Sequence, residues 1–290
     1  MHFQKITLVG VGLLGGSLGL AVKQRKLAAS ISGYVRRTAS IAECEKFAVV
    51  DSATRDIKAA VADADLIVLC TPLSRMGELA EDMLPALKPG AIVTDVGSVK
   101  TTVVAELEPL ITGAGAHFIG SHPMCGGEKM GVSAARADLF QNSVCVVTPG
   151  SKVNPKALAS IETFWRALEM RVLTMSPENH DELVSRSSHL PHVVAAELAN
   201  YVLSPVHPKE QAALCANGFR DTTRIASGSP EMWRDIALAN RKNLARVLGV
   251  FIEDLQEFRH ALDSGNVGAI EEFFQKAKER RDDWRSTHSG

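Results

Sequence analysis

A histidine, a carboxylate and a lysine stand among glycines in Gly120-Ser121-His122-Pro123-Met124-Cys125-Gly126-Gly127-Glu128-Lys129-Met130-Gly131. The residue before a proline is steered away from helix, so His122 is predicted in extended or turn backbone, and the glycines admit close approach of a ligand. The chemistry this suggests is a proton acceptor carried in a glycine-rich loop. Asp95-Val96-Gly97-Ser98-Val99-Lys100 follows a strand pattern and falls at the carboxyl edge, where doubly wound sheets bind ligands. In Ser187-Ser188-His189-Leu190-Pro191-His192 a proline interrupts a helical pattern. Such a proline costs about 3 kcal/mol in an ordinary helix, and the kink is predicted to aim one imidazole inward. His189 and His192 have neither a nearby third ligand nor the HExxH pattern, so no metal site is expected. Residues 218–226 and 229–235 gather Arg220, Asp221, Arg224, Trp233 and Arg234 around a glycine-containing break, and Arg224 is the arginine assigned to function.

Upstream, Gly10-Val11-Gly12-Leu13-Leu14-Gly15 follows a predicted strand at 6–9 and opens a predicted helix at 17–23. In that setting a GxGxxG run is a dinucleotide fingerprint. Gly10 permits the tight turn, Gly12 lets backbone approach a pyrophosphate, and Gly15 allows helix to pack closely on strand. The N–H groups from Leu13 and Leu14 onward are then free for phosphate. About twenty residues on, where an acidic side chain would hold the ribose 2′-hydroxyl of NAD, the chain has Tyr34-Val35-Arg36-Arg37. Arg36 and Arg37 can pair with a 2′-phosphate, so NADP is favoured and NAD stays open. Thr71 and Ser98 complete the expected cofactor contacts.

These residues need a scaffold to position them. Runs at 6–9, 31–35, 66–70, 91–95, 117–119, 144–147 and 172–174 read as strands separated by helical stretches, the pattern of a doubly wound, mostly parallel α/β sheet. After Ser176-Pro177, a predicted N-cap followed by a first-turn proline, the strand signal stops. The expected organisation is a Rossmann-like dinucleotide-binding domain over 1–175 and an all-helical substrate and dimerisation domain over 176–290. Leu244, Val247, Leu248, Phe251, Ile252, Leu255, Phe258 and Leu262 recur at helical spacing. That apolar stripe is either core or a subunit interface. Residues 276–283 mix both signs of charge and read as a solvated helix end.

A net charge of −1 over 290 residues gives no reason to expect a nucleic-acid partner. Five scattered cysteines without a CxxC pair suggest a reducing compartment, so the chain is expected to be cytoplasmic. No apolar run approaches membrane-spanning length, so no membrane partner is expected.

In order, GLLGGS, DVGSVK, GSHPMCGGEKMG, SHLPH and GFRDTTRIASGSPEMWRD span nearly the whole chain. With these five motifs the sequence resembles the prephenate/arogenate dehydrogenase family of tyrosine biosynthesis. The resemblance implies a Rossmann domain followed by a helical dimerisation domain, and a homodimer. It also implies that His122 accepts the proton of a ring 4-hydroxyl, that Ser98 hydrogen-bonds that region, and that His192 and Arg224 lie in the substrate pocket. Glu128, Asp221 and Trp233 match residues that shape or gate the pocket. The activity implied is oxidative decarboxylation of prephenate, with arogenate or both as the alternative substrate. A β-hydroxyacid dehydrogenase would call for a catalytic lysine motif in the helical half, which supplies none. A non-catalytic NADP-sensing regulator would not need His122, Ser98 and Arg224 together.

Overall fold

The computed structural model describes residues 2–127 and 129–288. Among them, eight strands form one sheet: β1 (Phe3–Val9), β2 (Ala28–Tyr34), β3 (Ser52–Thr54), β4 (Leu66–Leu69), β5 (Ile92–Asp95), β6 (His117–Pro123), β7 (Val144–Thr148) and β8 (Arg171–Thr174). Their order is β3-β2-β1-β4-β5-β6-β7-β8, and every pairing is parallel except β6 with β7. The direction of winding reverses between β1 and β4, which opens a crevice at their carboxyl ends.

Helices α1 (Leu13–Gln24), α2 (Thr38–Lys46), α3 (Ile57–Val61), α4 (Met76–Met83), α5 (Thr101–Gly113) and α6 (Pro155–Ala167) cover the two faces. Leu18 and Val22 of α1 and Phe164 and Trp165 of α6 are buried in one apolar cluster. Met76, Met83, Leu107 and Ile111 of α4 and α5 are buried in the other. With both faces covered, β4 is buried along its whole length and reads as a continuous apolar run, Leu66-Ile67-Val68-Leu69.

Strand β6 runs further than its apolar residues suggest. It continues through Pro123 because β7 pairs with it antiparallel, setting His122 opposite Val146 and Pro123 opposite Cys145. His122 therefore sits on a strand and not in a loop, in the extended backbone that a residue before proline favours.

Beyond the sheet come α7 (Pro177–Val184), α8 (Leu190–Val202), α9 (Glu210–Ala213), α10 (Asn217–Thr223), α11 (Pro230–Ala239), α12 (Arg241–Asp263) and α13 (Val267–His288). One wide π turn, Ser185–His189, joins α7 to α8 and places Pro191 in the first turn of α8, where its missing N–H does little harm. Packing divides the chain at 240/241, with α7 to α11 belonging to the sheet's unit. That differs from the division at 175/176, which follows the end of the strand signal. The physical reason is polar as much as apolar. Both oxygens of Asp181 accept backbone N–H bonds, from Lys100 at 2.7 Å and Thr101 at 2.9 Å, and the Asn240 amide donates to the Asp181 carbonyl at 2.8 Å.

Residues 241–290 form the second unit. Its helices α12 and α13 make a hairpin in which the Phe258 ring lies 4.4 Å from that of Phe273 and 5.7 Å from that of Phe274. Of the apolar stripe, Leu244 and Val247 are buried, whereas Ile252, Leu255 and Leu262 are exposed. Among the described residues, no helix is long and apolar enough to cross a membrane.

Candidate active site

The fingerprint turn has the features a dinucleotide needs. Gly10 takes φ +98°, a conformation that side chains rarely adopt, and a Cβ at Gly15 would lie 2.0 Å from the Gly10 carbonyl oxygen. A Cβ at Gly12 would meet nothing within 4 Å, so that position faces open space. Gly12 is also the N-cap of α1 and has no side chain to satisfy the first-turn N–H groups, including those of Leu13 and Leu14. Beside the turn, the buried hydroxyl of Thr71 has no hydrogen-bond partner. An uncapped helix start, open space at Gly12 and an orphaned hydroxyl at the crevice fit a nucleotide.

At the end of β2, Arg36 and Arg37 are exposed. Arg55, which sequence reasoning missed, joins them: its Nε donates to the Arg36 carbonyl at 3.2 Å and its Nη1 to the Thr38 hydroxyl at 3.2 Å. Its signal was weak, because β3 is only three residues long and has no apolar run.

The carboxyl ends of β5 and β6 are fixed by a buried ion pair. Lys100 and Asp95 are both fully buried, and the ammonium contacts the Asp95 carboxylate and donates to the Ser121 carbonyl at 2.9 Å. Asp95 also accepts from the backbone N–H groups of Gly97 at 2.8 Å and Ser121 at 3.0 Å. These two charged residues of the DVGSVK segment are structural, holding the half-buried Ser98 between them and His122 next door on β6.

His122 is 7% exposed. Its Nδ1 lies 2.8 Å from Nε2 of His180, whose Nδ1 lies 2.8 Å from the Asp181 carboxylate. Burial chiefly, with the electrostatic influence of His180, Lys100 and His189, holds the His122 imidazole well below the ordinary histidine range, so it is neutral near pH 7. Burial alone would raise the Asp181 carboxyl, but hydrogen bonds from His180 and from Lys100 and Thr101 outweigh it and keep the group ionised. Neither His180 nor Asp181 was picked out from sequence. The available signal was their spacing: Pro177, His180, Asp181 and Val184 form the buried face of α7, so two titratable groups occupy positions where an amphipathic helix calls for apolar ones.

The π turn and α8 deliver the other two imidazoles. His189 is buried, with its Nδ1 3.2 Å from the Asn240 amide. His192 is half-buried and donates from Nδ1 to the Ser188 carbonyl at 2.9 Å. Its ring stacks on Trp233 at 3.8 Å between centroids, with His189 edge-on to the same indole at 6.2 Å. Burial lowers His192, and the nearby Arg224 charge adds to that, which puts Arg224 within electrostatic reach of the imidazole. Arg224 itself is exposed, as is Asp221 on α10. The structure thus gathers His122, His189, His192, Trp233 and Arg224 around one region and leaves Asp221 on the surface. Glu128 lies outside the described residues. Among those described, no cluster of histidine, cysteine and carboxylate side chains could hold a metal.

Alongside this geometry, a nucleotide edge beside a buried neutral imidazole, two family models match the sequence of the chain. Residues 18–174 match the prephenate dehydrogenase nucleotide-binding domain and residues 176–276 the prephenate dehydrogenase dimerization domain. The chain belongs to the prephenate dehydrogenase family. It is a dehydrogenase with an NAD(P)-binding Rossmann-like domain and the family's dimerization domain. A cyclohexadienyl dehydrogenase of Zymomonas mobilis subsp. mobilis is 36% identical over 283 residues, covering 96% of this chain and 95% of that protein. A prephenate dehydrogenase of Bacillus subtilis is 32% identical over 96% of this chain and 75% of its own length. Among solved structures, the prephenate dehydrogenase from A. aeolicus in complex with hydroxyphenyl propionate and NAD+ superposes with a TM-score of 0.90 at 30% identity, over 98% of this chain and 99% of that one. Within the family, the packing boundary at 240/241 lies downstream of the junction between the two models at 174/176.

Proposed function

We propose that this chain is a homodimeric dehydrogenase that converts prephenate to 4-hydroxyphenylpyruvate and carbon dioxide, with NADP favoured over NAD. The observation that carries the reading is the neutral, buried His122 on the same sheet edge as the fingerprint turn. Prephenate carries two carboxylates and a ring 4-hydroxyl, so its oxidation calls for a neutral base at the hydroxyl and cationic or donor groups at the acids. His122 takes the hydroxyl proton as the C4–H bond breaks, and Ser98 hydrogen-bonds the same oxygen. A bound nicotinamide supplies the acceptor for the C4 hydride. Loss of the ring carboxylate then aromatises the ring, and His122 returns its proton to the phenolate oxygen, so the base ends as it began. Arg224 pairs with a substrate carboxylate, while His192, braced on Trp233, offers a second polar contact. General-base help of this kind contributes roughly 10²–10⁴ in rate.

The cationic group Arg36, Arg37 and Arg55 supports the NADP preference, since a 2′-phosphate adds charge that NAD lacks. Glu128 and Asp221 are proposed to shape access to the pocket. Scattered cysteines favour a reducing compartment, the cytoplasm. The similarity to a cyclohexadienyl dehydrogenase keeps arogenate as the second substrate reading.

Steady-state rates with prephenate and arogenate, each with NAD and NADP, test this. Prephenate with NADP is expected to give the highest kcat/KM, and Arg36→Ala/Arg37→Ala to lower it far more with NADP than with NAD. A higher kcat/KM for arogenate would replace the substrate assignment. Equal losses with the two cofactors in the double variant would remove the arginine assignment.

A further inference from the structure

Resting on the reading of His122 as the base, we propose that His180 and Asp181 are positioning residues that fix the tautomer of His122, leaving its Nε2 unprotonated and free to accept the substrate proton. The argument is a count of donors and acceptors. Both Asp181 oxygens accept backbone N–H bonds, and Oδ1 also faces Nδ1 of His180 at 2.8 Å. A carboxylate in that position can only accept, so His180 Nδ1 carries a hydrogen. Carrying that single ring hydrogen, His180 presents a lone pair at its other nitrogen, Nε2. It faces His122 Nδ1 at 2.8 Å, so His122 Nδ1 must carry the hydrogen of that contact. The one nitrogen left with a lone pair on neutral His122 is Nε2.

The same chain serves the charged state. When the substrate O–H bond breaks and an N–H bond forms at His122 Nε2, the imidazolium keeps its Nδ1–H on His180. The Asp181 charge then lies two hydrogen bonds away, and no proton need move along the chain. Asp181 is itself anchored at the N-terminus of α5, accepting from the backbone N–H groups of Lys100 and Thr101. The other groups whose charge bears on His122 are Lys100, at the sheet edge, and His189, on the π turn. Lys100 is committed to Asp95, and His189 takes the Asn240 amide at Nδ1. Neither supplies the partner that Nδ1 of His122 requires.

The test combines a spectroscopic reading of the intact protein with kinetics. In wild-type protein labelled with 15N-histidine, long-range 1H–15N correlations near pH 7 should show His122 as the Nδ1–H tautomer. An Nε2–H tautomer would overturn the proposal without any variant having to fold. His180→Leu is expected to lower kcat by roughly 10²-fold, with prephenate KM changed by less than about threefold, and to shift His122 toward a tautomer mixture. Adding His180→Leu to His122→Asn should cost little more than His122→Asn alone, because the relay acts only through that imidazole. If His122→Asn cripples kcat while His180→Leu, folded by circular dichroism, keeps wild-type kcat, the positioning role falls and the base survives. If His122→Asn itself keeps wild-type kcat, the base reading falls and the relay with it.

Discussion

At His189, burial is the largest influence and lowers the imidazole from 6.5 to about 4; the Asp181 charge opposes this, and His180 and His192 reinforce it. In the unfolded chain the same group protonates at the ordinary value. Between pH 6.5 and about 4, therefore, the unfolded state binds a proton that the folded state refuses, and stability falls as the pH falls. The full effect is up to roughly 3 kcal/mol, reached below the folded value. Urea unfolding of wild type and His189→Gln from pH 7 to pH 5 should show the wild-type stability declining more steeply; parallel curves would mean that His189 does not carry the penalty. Arg224 stands at the other extreme of exposure. Its charge-assisted bond to a substrate carboxylate is worth about 1.5–3 kcal/mol, so Arg224→Ala should raise prephenate KM about 10- to 100-fold. Cofactor Kd and Tm should hardly move, and a lowered Tm with unchanged KM would make Arg224 a structural residue. His122, His192 and Trp233 were legible in the sequence because each sits in a motif with proline or glycine neighbours that a packing residue does not need. His180 and Asp181 were not, since two polar residues on a short helix look like solvent-facing ones until the sheet edge they bury against is known.

The fingerprint turn separates two uses of glycine. At Gly15 an added methyl would collide with backbone, 2.0 Å from the Gly10 oxygen, so Gly15→Ala should lose stability by about 1–3 kcal/mol, the usual range for overpacking. At Gly12 the methyl meets nothing, so Gly12→Ala should melt like wild type yet bind cofactor roughly tenfold or more weakly, the methyl standing where a pyrophosphate approaches. Thermal melts paired with cofactor titrations check both, and a Gly12→Ala protein of normal affinity would remove the pyrophosphate from that position. Element by element, the sequence is most readable where burial is symmetrical. Strand β4 carries a continuous apolar run, and α12 a periodic stripe. The end of β6 was not readable, since its last residues are strand only because β7 pairs with them. The π turn escaped for a related reason: Pro191 announces an irregularity, but whether the chain kinks or widens depends on what the helix packs against.

For the whole molecule, the exposed half of the α12 stripe and its neighbours on α13 are the surfaces on which a dimer would close. Ile252, Leu255 and Leu262 on α12 and Phe274 and Trp284 on α13 are all exposed, and clustered apolar exposure of this kind marks interaction surfaces. Leu255→Glu should shift the protein toward monomer in sedimentation velocity at micromolar concentration, and a wild-type monomer under those conditions would exclude this interface. The division between a sheet and a helical remainder was legible from where strands stop, but the packing boundary was not, because the hydrogen bonds that tie α7 into the sheet's unit join residues about 80 positions apart. Those bonds have a consequence in exchange with heavy water. The amide hydrogens of Lys100 and Thr101 are protected by a carboxylate that arrives on α7, not by their own helix. Any excursion that lifts α7 from the sheet exposes them while the β5 amides stay locked, so their deuteration rate reads the opening of the active site directly, at rest and without substrate.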